Sequence, residues 1–238
     1  MADPLASAAG TSTIVAGSFH RAADGRPTVR GVLHRPASPA RDGLVLTHGA
    51  GGNCGAPLLV ALGDAFAAAG VTVLRCDLPY RQARPKGPPF PSGAARDRDG
   101  LRQAVRELRW ILPGRVFVGG QSYGGRQASM LAADEPGLAD GLLLLSYPLH
   151  PPGRPDKPRD AHLPDVRRPM LFVQGTRDTF GTPSELKPVL ASLSPLPTLH
   201  HVEGGDHSFK IAGRDAKARQ AAVYAEIQDT IVDWISHV

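Results

Sequence analysis

The stretch Val116-Phe-Val-Gly-Gly-Gln-Ser-Tyr-Gly-Gly-Arg126 constrains the fold of this chain more than any other. An apolar run of β type breaks into Gly120-Gln-Ser-Tyr-Gly124 and then into a helical pattern, so a strand must pass into a helix across one sharp turn. A serine on so tight a turn is held in a strained backbone conformation. The residues two before and two after it need almost no side chain where strand and helix crowd together, and Gly120 and Gly124 meet that demand. The turn lifts the Ser122 hydroxyl clear of the sheet and sets it at a helix N-terminus, whose free N–H groups and positive dipole end favour developing negative charge. Ser122 is therefore the candidate nucleophile. A glycine-rich turn that carries a serine by chance has the same short signature, so the reading depends on partners elsewhere in the chain.

Residues 1–11 are small and polar and are expected to form a flexible arm; residues 12–238 suit one domain. Residues 13–20 and 28–34 read as two strands around the turn at 23–27. Buried strands follow at 43–48 and 71–77, further strands at 116–121, 141–146, 169–174 and 197–202, and helices at 57–70, 97–112, 123–134, 184–192 and 216–236. Strand, helix and strand at this spacing give an α/β architecture with a mostly parallel central sheet, right-handed crossovers and helices on both faces. Two proline-rich loops, 78–95 and 147–166, are too short for a cap domain, which leaves an open, shallow pocket, and the prolines of the first are expected to forbid regular structure. The first leaves the C-terminal end of a strand and is either a rim of the site or a solvent-facing connector.

A serine hydroxyl is a weak nucleophile until a base takes its proton, and the base needs an orienting carboxylate. On a strand-turn-helix scaffold these partners follow the serine in the order acid, then histidine, each in a loop after a strand. Gln174-Gly-Thr-Arg-Asp178 supplies Asp178, and Glu203-Gly-Gly-Asp-His207 supplies His207. His20, His34, His200 and His201 lie in strand patterns and His237 at the terminus, while Asp206 is expected to point away from His207. His48-Gly-Ala-Gly-Gly52 opens directly from a buried strand, so the backbone N–H groups of Ala50 and Tyr123 are assigned as an oxyanion hole. The glycine loop lacks the G-x-x-x-x-G-K-[ST] pattern, which argues against nucleotide binding. Asp156, Asp160 and His162 sit at spacings with no fixed ligand geometry, and neither a metal nor an organic cofactor is implied.

A net charge of +5 invites a nucleic-acid reading, with Arg98, Arg102, Arg106 and Arg109 as a basic stripe. Asp97, Asp99 and Glu107 interrupt it and no aromatic platform accompanies it, so a solvated helix face is expected, with neither nucleic acid nor membrane as partner. The N-terminus carries Asp3 and no long apolar core, and no stretch approaches the ~18 apolar residues of a membrane helix, so a cytoplasmic location is expected. Cys54 and Cys76 are read as reduced thiols, a bridge between them being open but not favoured.

With these residues placed, the chain resembles the α/β-hydrolase superfamily from about residue 13 to 238. More narrowly it is similar to the small, capless, dienelactone-hydrolase-like branch that includes the testis-expressed hydrolase-like proteins and the hydrolase-like subunit of a nuclear histone-acetyltransferase complex. The segments that carry this are His48–Gly52, Leu78-Pro-Tyr-Arg81, Gly119–Arg126, Ser146-Tyr-Pro-Leu-His-Pro-Pro-Gly153, Phe172–Asp178 and Glu203-Gly-Gly-Asp-His-Ser-Phe-Lys210. The resemblance implies the triad Ser122, Asp178 and His207 and a serine hydrolase acting on a small-molecule ester, thioester or lactone. It departs from dienelactone hydrolase itself, whose nucleophile is cysteine. A non-catalytic interaction module that keeps the architecture is the rival, and a homodimer stays open. Tyr80, Arg81 and His150, on loops at the catalytic edge, are expected to line the pocket, where cationic groups would favour an acidic acyl substrate. Arg126 either reaches the site or, the favoured option, pairs with an acid such as Asp77.

Overall fold

Short apolar runs too brief for helices become strands covered on both faces, and the longer amphipathic runs between them become the covering helices. The computed structural model describes residues 15–22, 25–38, 40–214 and 216–238, so the expected N-terminal arm lies outside the described residues. The strands are β1 (Val15–Arg21), β2 (Val29–Arg35), β3 (Gly43–Thr47), β4 (Thr72–Cys76), β5 (Val116–Gln121), β6 (Gly141–Leu145), β7 (Met170–Gly175) and β8 (Thr198–Val202). The helices are α1 (Pro57–Ala68), α2 (Pro79–Ala83), α3 (Ala94–Ile111), α4 (Tyr123–Asp134), α5 (Pro183–Leu190) and α6 (Ala216–His237).

One eight-stranded sheet has the order β1-β2-β4-β3-β5-β6-β7-β8. β1, β2 and β4 pair antiparallel, and every other neighbouring pair is parallel. Alternation along the strands divides the core in two. Val45, Val118, Leu142 and Leu144 face the layer that holds α3, α4 and α5. Leu44, Leu46, Phe117, Leu143 and Leu145 face α1 and α6. β3 and β5 are adjacent at the centre with Thr47 opposite Gly120, so the glycine loop after β3 and the serine turn after β5 leave the same edge of the sheet side by side.

Loop 78–95 departs from the expectation of irregular structure. Pro79 occupies the first helical position of α2, where a missing N–H costs nothing, and Pro91 does the same for a 3-10 turn over Pro91–Gly93. Among the described residues no helix is long and apolar enough to cross a membrane.

Candidate active site

Ser122 sits between β5 and α4 with φ 51° and ψ −114°, a conformation rare for a side chain that is not glycine. Its neighbours explain why it is tolerated. A Cβ on Gly120 would lie 2.5 Å from the Thr47 carbonyl oxygen, and one on Gly124 would lie 2.6 Å from that of His48. Only glycine lets the turn press this closely on the end of β3.

The structure brings the three predicted side chains together. His207 Nε2 lies 2.8 Å from Ser122 Oγ, and His207 Nδ1 lies 2.9 and 2.8 Å from the two Asp178 carboxylate oxygens. Asp178 is buried, and its charge is met by donors on both oxygens: Phe180 N–H at 2.8 Å and Gln174 Nε2 at 2.8 Å. Gln174 is itself fixed, accepting from Tyr147 N–H and donating to the Gly181 carbonyl. The Phe180 ring stacks on His207 with centroids 4.0 Å apart. Asp206 turns to its own loop and accepts from Ser208 and Lys210 N–H.

The glycine loop is clamped from behind. The Gly49 carbonyl accepts from Gly52 N–H and His48 Nδ1–H, at 3.0 and 2.9 Å, and the Tyr80 hydroxyl, 3.2 Å from the same oxygen, donates to the Ala50 carbonyl at 2.9 Å. A trans peptide sends its N–H the opposite way from its C=O, so pinning this oxygen fixes the direction of the Ala50 N–H. His48 Nε2 accepts from Leu78 N–H, and burial holds the imidazole pKa below its ordinary value, which keeps the ring neutral as that pairing needs. Arg81 reaches the same loop: Nε donates to the Gly52 carbonyl, Nη2 to those of Ala50 and Gly87, and Nη1 to that of Arg84.

Behind both lies Asp97 of α3, almost wholly buried. One carboxylate oxygen accepts from Tyr80 N–H at 3.0 Å and the other from Tyr123 Oη–H at 2.8 Å. Burial pushes its pKa up despite these donors, so the environment is dry.

A cavity of about 790 Å³ opens onto this edge, within the usual range for small-molecule sites. Ser122, His207, Ala50 and Tyr123 line it; Pro88 to Pro91 make one rim, so loop 78–95 is a wall of the site and not a mere connector. Of the four further side chains expected at the pocket, Arg126 lines the cavity, and Tyr80, Arg81 and His150 do not. Tyr80 and Arg81 are spent on backbone carbonyls; His150 is buried against the Pro151 carbonyl and Glu185. Nor does Arg126 pair with Asp77, whose carboxylate meets Cys54 N–H and Arg30 instead.

Over 40–236, the sequence matches the family model described as an alpha/beta hydrolase domain, which spans most of the chain. The chain belongs to that family. This hydrolase is also similar in structure to an alpha-beta serine hydrolase homologue from Coxiella burnetii, with a TM-score of 0.70 at 15% identity over 91% of this chain and 96% of that one. It resembles dienelactone hydrolase from Anabaena variabilis at TM-score 0.70 and 19% identity, over 95% and 98% of the two chains. An a/b serine hydrolase without lid from Xanthomonas campestris gives TM-score 0.66 and 20% identity over 89% and 94%. The fold is accordingly an α/β-hydrolase fold without a cap.

Elsewhere, the arginine stripe on α3 is met by acids: Arg98 by Asp134, Arg102 by Asp99 and Glu135, Arg106 by Glu135, Arg109 by Asp140. Cys54 and Cys76 are free thiols; burial pushes the Cys54 pKa up to about 11 and raises that of Cys76 too. His162 bonds Ser129 and Asp156 pairs with Arg154, and among the described residues no group of three or more His, Cys, Asp or Glu is placed to hold a metal ion.

Proposed function

We propose that this hydrolase cleaves carboxylic ester, thioester or lactone bonds through an acyl-serine intermediate, with Ser122, His207 and Asp178 as its triad. The observation that carries the reading is the unbroken hydrogen-bond line from the Asp178 carboxylate through His207 to the Ser122 hydroxyl, ending at the cavity wall. His207 Nε2 takes the hydroxyl proton as Ser122 Oγ attacks the carbonyl carbon. Asp178 keeps the proton on Nδ1 and stabilises the imidazolium. The N–H groups of Ala50 and Tyr123 receive the tetrahedral oxyanion, each such donor contributing about 3 kcal/mol to the transition state. His207 then protonates the leaving group, and water, activated the same way, releases the acid.

Residues 12–238 act as one domain in this reading, with a cytoplasmic location. The motifs Tyr147-Pro-Leu-His-Pro-Pro-Gly153 and Gly205–Lys210 support placement in the dienelactone-hydrolase-like branch. The test is a fluorophosphonate probe. Labelling of wild type and not of Ser122→Ala is the expected result; folded wild type that takes no label would favour a non-catalytic interaction module.

A further inference from the structure

The cavity wall away from the triad carries two cations with which, among the described residues, no acid makes contact. Arg126, one helical turn beyond Ser122, and Arg159, in loop 147–166, both line the cavity, and no aspartate or glutamate does. Among the described residues neither guanidinium makes an ion pair or a hydrogen bond to the protein, whereas Arg98, Arg102, Arg106 and Arg109 of α3 all have acids. Arg126 Nε is fully buried without a partner, and so is Nε2 of the adjoining cavity residue Gln127, whose Oε1 is taken by Arg98. Unmet buried donors are costly and uncommon in folded proteins. The wall is also built: Arg159 N–H donates to the Leu149 carbonyl at 2.8 Å, and its own carbonyl accepts from Tyr147 Oη–H at 2.7 Å. Burial and the neighbouring Arg126 cation together lower the Arg159 pKa, and burial and Arg126 hold His162 down to about 4. Two cations therefore share one wall of the cavity, close to a neutral imidazole that Asp134, Asp160 and Asp165 also influence.

We propose that Arg126 and Arg159 form an anion subsite which receives a carboxylate carried by the substrate, so that the preferred esters are acidic ones. Two guanidinium groups suit a planar carboxylate through paired, charge-assisted hydrogen bonds. Arg126 is about 6 Å along the helix from Ser122, which puts the carboxylate a short chain from the scissile bond. The inference takes from the proposed function only which bond is broken; whether the wall binds an anion is independent of it.

Two measurements test the subsite separately. The first compares kcat/KM for mono-4-nitrophenyl adipate with that for 4-nitrophenyl hexanoate, and for 4-acetoxybenzoate with its methyl ester, which puts the carboxylate on the acyl side or the leaving side. Wild type is expected to favour the charged member of at least one pair by tenfold or more. Arg126→Met and Arg159→Met should each cut that ratio at least tenfold, with Arg126→Lys restoring part of it, and Arg159 keeps the test valid should Arg126→Met fail to fold. The second is calorimetric titration of the intact protein with adipate, expected to bind at least tenfold more weakly to Arg159→Met. Equal or greater preference for neutral esters in both pairs, with adipate binding absent or unchanged by the substitutions, overturns the subsite while leaving ester cleavage standing. Arginine-dependent adipate binding without turnover or probe labelling supports the subsite and sinks the hydrolase reading instead.

Discussion

Replacing Arg81 by methionine separates the scaffold of the proposed oxyanion hole from its chemistry. The guanidinium touches four carbonyls, two in the glycine loop and two in loop 78–95, and packs 5.0 Å from the Tyr80 ring centroid. Hydrogen bonds from a charged donor contribute about 1.5–3 kcal/mol each when removed singly. Together they cannot sum, because deleting the charge also removes the cost of burying it. A net loss of about 2–4 kcal/mol follows, and at roughly 2–4 °C per kcal/mol for a chain of this size the melting temperature should fall by about 4–16 °C. The kinetic effect is separate. Without Arg81 the Ala50 and Gly52 carbonyls lose a charged donor; a loop loosened enough to turn the Ala50 N–H away would forfeit one proposed oxyanion donor, a cost of about 10²–10³ in kcat. Turnover of 4-nitrophenyl butyrate, normalised by fluorophosphonate titration and measured well below the variant's melting point, is the assay. A lowered melting temperature with kcat within twofold of wild type would refute the claim that Arg81 positions the hole.

Asp178→Asn should lower kcat about 10⁴-fold by favouring the wrong imidazole tautomer; steady-state kinetics giving a loss under tenfold would remove the carboxylate from the mechanism. Gly124→Ala puts a Cβ 2.6 Å from both the His48 carbonyl and Thr47 Cγ2, an overpacking worth about 1–3 kcal/mol. Denaturant titration should detect it, and an unchanged midpoint would contradict the packing described. His162 has a folded pKa of about 4 against an ordinary 6.5, from burial first and Arg126 second. Between these values the unfolded chain binds more protons at this site, so its contribution is complete above pH 6.5 and is lost as pH falls toward 4. Allowing for partial exposure of the ring, that is about 1–2 kcal/mol. His162→Gln should be flatter than wild type over this window in pH-dependent chemical denaturation, and parallel curves would count against the assignment.

Strand and helix order could be read from the chain because buried parallel strands are short apolar runs and the covering helices keep a 3.6-residue period. Ser122, Asp178 and His207 could be picked out because each follows a strand. Asp97 could not. It interrupts a basic stripe and so reads as a solvated acid, although it stands one turn before Leu101 on the buried side of α3. What makes it tenable there, Tyr80 N–H and Tyr123 Oη–H, comes from two distant segments. Arg81 fails for a related reason: composition marks a cation at the catalytic edge but not whether it faces the cavity or the backbone carbonyls behind it. Phe180, stacked on His207, had no signal beyond its closeness to Asp178.

Since one oxygen of Asp97 grips the segment that braces the glycine loop and the other grips the residue after Ser122, both jaws of the gap hang from a single turn of α3. Drift of that helix against the sheet would carry the two jaws in step and leave their spacing intact. Proline-rich walls on either side are then free to diverge in sequence and reshape what enters, without recalibrating the aperture where bonds are broken.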